Sequence, residues 1–227
     1  LVSVVYTQPP QKSNRGQKIN KSPIQGISET LNLEIRTPES LKNNKKEHEF
    51  LRELKADIAI VVAYGQIIPK EFLSLTKKGF INIHASLLPK WRGAAPIQRS
   101  IINLDKETGI SIMQIVENLD AGPIMKQIKV KIKDSSTSEE ISKNLSKIGS
   151  EIIVDILDEI FNEKAKFIHQ NPKLASYAKK IKKNEAKIYW NDSAKKILAK
   201  INGLNPDPGA WFIYKEARYK IWRAKIS

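Results

Sequence analysis

Residues 57–63 read Asp-Ile-Ala-Ile-Val-Val-Ala, and residues 80–84 read Phe-Ile-Asn-Ile-His. The first is a continuous apolar run ended by Gly65, as expected of a central parallel strand covered on both faces. The second places Ile81 and Ile83 on one face and Asn82 and His84 on the other. Between them, Pro69 predicts the start of a short helix. Working outward, residues 1–6 and the short run Leu33-Glu34-Ile35 read as strands, and residues 110–116 as a further strand. Residues 39–55 have the narrow apolar stripe of a polar helix, supplied by Phe50, Leu51 and Leu54. Residues 95–103 read as helix, and residues 137–161 as a long amphipathic helix with Thr137 or Ser138 at its N-cap. Strands alternating with helices over residues 1–161 predict an α/β, Rossmann-like domain with a mostly parallel sheet.

Beyond residue 163 the pattern changes. Residues 164–185 are basic and poorly periodic and read as a linker. Residues 188–190 are strand-like and 193–202 helical. Residues 211–214 and 219–224 alternate like a hairpin around 215–218. The expected division is a domain over 1–163, a basic linker over 164–185, and the start of a small β domain over 186–227. Residues 8–26, rich in Pro, Lys, Asn and Gly, read as a basic loop.

The chain has 227 residues and no cysteine, which excludes disulfides, thiolate catalysis and zinc–cysteine sites. Three histidines, His48, His84 and His169, argue against a His-rich metal site, so no metal is expected. No apolar window is long enough to span a bilayer. Formal net charge is +15. Residues 1–163 hold 23 Lys and Arg against 20 Asp and Glu; residues 164–227 hold 16 against 4. Compositional drift toward lysine would spread along the chain, whereas this excess is concentrated in the last stretch, which favours a polyanionic partner there.

Three side chains stand out for chemistry. Residues two apart on a strand lie roughly 6.6 Å apart, so Asn82 and His84 sit side by side near a strand end. The carboxyl edge of an open α/β sheet is where ligands bind. An amide suits donation to a developing oxyanion, and an imidazole suits proton movement near neutral pH. Equally, such a pair can simply satisfy a strand end. Asp120, in Leu119-Asp120-Ala121-Gly122, should emerge at the same edge, where a carboxylate can orient a catalytic histidine; a turn Asp before Gly is the plainer reading. These residues alone leave the reaction open.

The gap-free run 82–98, Asn-Ile-His-Ala-Ser-Leu-Leu-Pro-Lys-Trp-Arg-Gly-Ala-Ala-Pro-Ile-Gln, resembles the signature of the folate-dependent formyltransferases, in the branch that acts on initiator tRNA. Similar stretches follow in order at 62–65, 108–114, 119–122, 177–181, 185–190 and 205–222. The resemblance implies a formyltransferase fold with an OB-like C-terminal barrel, present here in part. It implies transfer of a formyl group from 10-formyltetrahydrofolate to the α-amino group of methionine on initiator Met-tRNA. Asn82, His84 and Asp120 are then catalytic, and Ser86, Leu87, Leu88 and Pro89 line the folate site. Arg15, Lys12, Lys18 and Lys21 in the basic loop, and Lys179, Lys180, Lys182 and Lys183 in the basic segment, are expected to meet the tRNA. Trp91-Arg92-Gly93-Ala94-Ala95-Pro96 and the basic C-terminal segment favour tRNA over a sugar amine, glycinamide ribonucleotide or water as acceptor. A non-catalytic RNA-binding product is the alternative from another class. A cytoplasmic monomer of bacterial type is expected, with an organelle as the alternative location. The family opens with a Gly-Thr-Pro strand and a helix, and residues 8–14 depart from its Asp-Arg-Pro-Ala stretch. The chain therefore reads as a portion of a longer protein.

Overall fold

The computed structural model describes residues 1–13 and 18–226. By internal contacts the chain forms two units, Leu1–Asn82 with Ile115–Glu117, and Ile83–Gln114 with residues from Asn118 onward.

In the first unit, β1 (Val5–Tyr6) pairs in parallel with β4 (Ile35–Arg36). β5 (Ala59–Val61) pairs in parallel with β6 (Phe80–His84), matching Val61 with Asn82. The basic stretch 8–26 is more structured than its composition suggests. β2 (Gln11–Ser13) and β3 (Lys18–Asn20) pair antiparallel, and α1 (Pro23–Thr30) starts at an N-cap where Gln25 N–H donates to Ser22 Oγ. Pro at the first helical position costs nothing there, because that amide would have no helical acceptor. α2 (Lys45–Leu54) is capped by Asn44 and lays Leu51 onto a core with Leu41, Phe72 and Phe80. Ala59 and Val61 pack on the same core. Ile60 and Val62 face outward and are 37% and 58% exposed. The run at 57–63 is therefore covered on one face only among the described residues, because alternation along a strand sends neighbouring apolar side chains to opposite faces.

An ionic cluster ties α2 to the sheet. Glu47 accepts from Tyr6 OH at 2.8 Å and from Arg36 Nη2 at 2.8 Å, and the Arg36 guanidinium also lies 3.8 Å from the Phe50 ring centre. Glu47 is 7% exposed. The hydrogen bonds from Arg36 hold its carboxyl below the ordinary Glu value of 4.5, against the opposing pull of burial. A depressed folded value means the stabilisation is fully present above that ordinary value and is lost as pH falls through the folded one. Glu47→Gln should cost about 3–5 kcal/mol, because it leaves a part-buried guanidinium without its counter-charge. Urea unfolding at pH 7 checks the loss. Repeated below pH 4, the gap between the two proteins should shrink; a constant gap would remove Glu47 from the acid limb.

In the second unit, β8 (Glu107–Gln114) pairs antiparallel with β9 (Ile124–Lys131), a strand beyond those expected from the sequence pattern. α4 (Ser138–Phe161) has a full capping box: Glu140 N–H donates to Thr137 Oγ1, and Thr137 N–H to the Glu140 carboxylate. That fixes Thr137 as the cap and satisfies two of the amides a helix start leaves open. α3 (Pro96–Ile102) packs against α5 (Ala194–Gly203). A Cβ on Gly203 would come within 2.8 Å of Ile102, so glycine permits the close crossing.

The segment read as a linker is built into this unit. β10 (Tyr177–Ala178) pairs in parallel with β7 (Arg92–Gly93). Near the end, β11 (Ala210–Tyr214) and β12 (Ala217–Ile221) form the expected hairpin. Its two-residue turn has Lys215 and Glu216 both at positive φ, the primed-turn geometry that matches strand twist. Ile188, Ile201 and Ala210 form its core, and Lys187 bridges to Trp211. No closed barrel forms among the described residues.

Candidate active site

β6 delivers His84, 6% exposed, to the second unit. Its Nε2 lies 3.0 Å from the Trp91 carbonyl. A carbonyl only accepts, so Nε2 carries the hydrogen; the tautomer is assigned from this partner. Nδ1 is then the proton-accepting nitrogen of the neutral ring. It lies 3.7 Å from Asp120 Oδ2, beyond a good hydrogen bond but within ion-pair range. A proton taken at Nδ1 gives an imidazolium whose counter-charge is already in place, while Nε2–H stays on Trp91.

Both partners are held by unusual backbone. Trp91 has φ 62°, its N–H donates to Ser176 Oγ at 2.9 Å, and its indole N–H donates to Asp105 at 2.7 Å. Asp120 has φ 47°, a conformation few residues other than Gly, Asn and Asp tolerate. Its Oδ2 also accepts the Gly93 N–H at 2.7 Å. Gly93 has φ 116°, and a Cβ there would lie 2.9 Å from the Ala178 carbonyl. A Cβ on Gly122 would lie 1.8 Å from the Gln114 carbonyl, so the loop carrying Asp120 passes where only glycine fits. Asn82 belongs to the first unit and stands two positions before His84 on the same strand.

The Ser86–Pro89 turn is internally saturated. Ser86 Oγ donates to the Lys90 carbonyl at 2.6 Å. Ser111 Oγ donates to the Ser86 carbonyl and accepts from Leu88 N–H and Gln127 Nε2. Ser86 and Leu88 are sealed inside; Leu87 and Pro89 are half-buried and present the apolar surface of the turn. Among the described residues, no group of three His, Cys, Asp or Glu comes together to hold a metal, and no helix is long and apolar enough to cross a membrane.

Of the basic positions, Arg15 lies outside the described residues. Lys12 and Lys18 lie on the paired strands of the β2–β3 hairpin. Lys21 is exposed, and its ammonium sits 2.9 Å from both Glu29 oxygens. The hydrogen bonds from Lys21 hold the Glu29 carboxyl below its ordinary value. Lys179, Lys180, Lys182 and Lys183 are all exposed. Their backbone is clamped from below: Arg99 donates to the Lys179 carbonyl at 2.9 Å and pairs with Glu185 at 2.7 Å, which holds the Glu185 carboxyl below its ordinary value. A groove of about 620 Å³ runs past Lys179, Lys180 and Lys182 to Tyr177 and Trp91, whose carbonyl fixes His84.

Gln170 was not singled out from sequence, and Trp91 was read only as part of the motif at 82–98, not as the carbonyl that accepts from His84. Gln170 Nε2 donates to the carbonyls of Asp120 and Gly122, both at 2.8 Å. No periodicity or motif spacing marks Gln170; its role arises from pairing across about 50 residues of chain.

Comparisons with known proteins agree along the whole length. Residues 1–157 match the family model described as formyl transferase, and residues 180–227 match formyl transferase, C-terminal domain. The chain is 60% identical to methionyl-tRNA formyltransferase of Pelagibacter ubique over 226 residues, covering 100% of this chain and 73% of that protein. It is 42% identical to that of Coxiella burnetii, covering 99% and 71%. A solved 4-N formyltransferase from Francisella tularensis has the same fold, with a TM-score of 0.73 at 24% identity over 89% of this chain and 84% of that one. A sugar N-formyltransferase from Shewanella gives 0.72 at 21% identity, covering 92% and 82%. Sequence identity at this level over the full chain, joined to both domain models, places the chain in the methionyl-tRNA formyltransferase family.

Proposed function

We propose that the formyl donor is 10-formyltetrahydrofolate, and that the chain moves its formyl group to the α-amino group of methionine on initiator Met-tRNA through Asn82, His84 and Asp120. Formylation of initiator Met-tRNA is the family's activity, and its chemistry depends on folate. The observation that carries the assignment of residues is His84, fixed through Nε2 by the Trp91 carbonyl with Nδ1 facing Asp120. The half-buried Leu87 and Pro89 would hold the flat folate ring, and the buried Ser86 and Leu88 would keep their turn in shape. Folate supplies the one-carbon group; the chain positions, polarises and moves the proton. Asn82 donates to the carbonyl oxygen under attack. The amine nitrogen bonds to the formyl carbon, His84 receives at Nδ1 the proton that leaves the amine, and Asp120 holds the imidazolium. As the bond between the formyl carbon and the donor's nitrogen breaks, that proton passes to the leaving nitrogen and His84 is neutral again. A free α-amine titrates near pH 8, so positioning and oxyanion stabilisation supply most of the acceleration.

Lys179, Lys180, Lys182 and Lys183 meet phosphates of the acceptor end, with the groove to Trp91 as its path. Arg15, Lys12, Lys18 and Lys21 are the positions of the basic stretch 8–26 that contact tRNA phosphates. The protein works as a monomer in a bacterial-type cytoplasm, where translation begins, over a division of labour in which residues 1–163 hold the chemistry and 186–227 extend the RNA surface. The test is formation of formyl-Met-tRNA from 10-formyltetrahydrofolate by the purified full chain. Product is expected only with donor and charged initiator tRNA both present. Consumption of donor without tRNA, or transfer to a sugar amine instead, would refute the acceptor.

A further inference from the structure

Gln170 lies in the basic stretch whose sequence reads as linker, yet all four hydrogen-bonding positions of its amide are used. Oε1 accepts from Arg92 Nε at 3.1 Å and from Arg92 Nη2 at 2.7 Å. Nε2 donates to the backbone carbonyls of Asp120 and Gly122, both at 2.8 Å. Arg92 is 6% exposed and has no carboxylate in ion-pair range among the described residues. Its neighbour Gly93 donates its N–H to Asp120 Oδ2. The contacts close a ring: Arg92 to Gln170, Gln170 to the Asp120 backbone, the Asp120 carboxylate to Gly93, and Gly93 back to Arg92 through one peptide bond.

We propose that Gln170 is a positioning residue for formyl transfer: its two N–H donors lock the left-handed turn at Asp120 so that the carboxylate stays aimed at His84 Nδ1. This rests on the assignment of Asp120 to catalysis made above. The ring supplies the physical reason. A carboxylate on a surface loop samples several rotamers and turn conformations, and one misplaced by about 1 Å can cost on the order of 10²-fold in rate. Two carbonyls pinned by one rigid amide remove that freedom. Arg92 in turn fixes the amide, since Oε1 must face the guanidinium and Nε2 the loop.

The chemistry offers a substitution that separates this role from a merely structural one. If Gln170 served only to satisfy the buried Arg92, Gln170→Glu would serve as well, because a carboxylate of the same shape accepts both guanidinium hydrogens with charge assistance. If the two donors to the Asp120 loop matter, Glu fails, because an ionised carboxylate has no hydrogen to donate and faces two carbonyl oxygens. Formyl transfer to Met-tRNA by the full chain is measured for Gln170→Glu, Asp120→Asn and the double variant, with rates per folded protein. The expected result for Gln170→Glu is a kcat lower by about 10- to 100-fold, with KM for both substrates within about twofold. The double variant should be no slower than Asp120→Asn within about twofold, because residues that act as a unit are not additive. Should Gln170→Glu not fold, Gln170→Asn, which withdraws the same groups by one methylene, takes its place with the same expectation. A kcat within about twofold of the parent, or losses that multiply in the double variant, would overturn the proposal while leaving Asp120 in place. An Asp120→Asn enzyme as fast as the parent would instead sink the assignment of Asp120, and the positioning role with it.

Discussion

His84→Ala should lower the turnover of formyl transfer by about 10²- to 10⁴-fold, the range one positioned proton-transfer group contributes. Affinity for initiator Met-tRNA should stay within about twofold. The ring is nearly enclosed and makes its contacts within the second unit, to the Trp91 carbonyl and toward Asp120, and none of the exposed lysines depends on it. Alanine removes the nitrogen that takes the proton and leaves the Asp120 carboxylate with Gly93 N–H alone. It also leaves the Trp91 carbonyl without its donor, at about 1–3 kcal/mol of stability for an unsatisfied buried acceptor. Rates are therefore compared in single turnover at a temperature where circular dichroism shows both proteins folded. Transfer at the parental rate would remove His84 from the chemistry. Equal losses in tRNA affinity and in rate would make it a residue of the fold instead.

Much of the architecture was legible because local chemistry and tertiary need agree. Thr137 with Glu140 three residues on, before an apolar stripe, is a helix start on any backbone, and α4 begins there. Ser193 caps α5 with its hydroxyl, which accepts the Lys196 N–H. The strand Phe80–His84 and the hairpin of β11 and β12 follow from alternation. What misled was context. The apolar run at 57–63 does not say how many of its faces are covered, and Ile60 and Val62 are left outward. The stretch 164–185 has no period because its ordering comes from elsewhere: Tyr177 and Ala178 pair with Arg92 and Gly93, some 85 positions away. Two-residue strands leave no pattern to read. Among the candidate site residues, His84 at the end of β6 and Asp120 in the loop after β8 were marked by residue type and position, and the second unit brings their side chains to 3.7 Å. Gln170 was not, because an amide announces nothing until its four partners are in place.

That same pairing decides what can be changed in the basic segment. Reversal of Lys179, Lys180, Lys182 and Lys183 to glutamate should weaken binding of initiator tRNA by on the order of 10²-fold near 0.1 M salt, with kcat on saturating tRNA within a few-fold of the parent. The fold should survive, since main-chain groups hold the segment in place. Arg99 donates to the carbonyls of Lys179 and Lys180, Lys182 N–H donates to Glu185, and Ala94 N–H donates to the Ala178 carbonyl. The four side chains themselves are exposed, so their charge is available to a polyanion. Each phosphate neutralised contributes about 0.7–0.9 to the slope of log K against log salt, and loss of three or four contacts should flatten that slope by about 3. The slope separates this reading from a loss of shape. A damaged surface lowers affinity at every salt concentration by a similar factor, whereas lost phosphate contacts cost most at low salt and little at high salt. An affinity that falls while the slope stays put would mean that the basic segment is solvated surface and that the tRNA is held elsewhere.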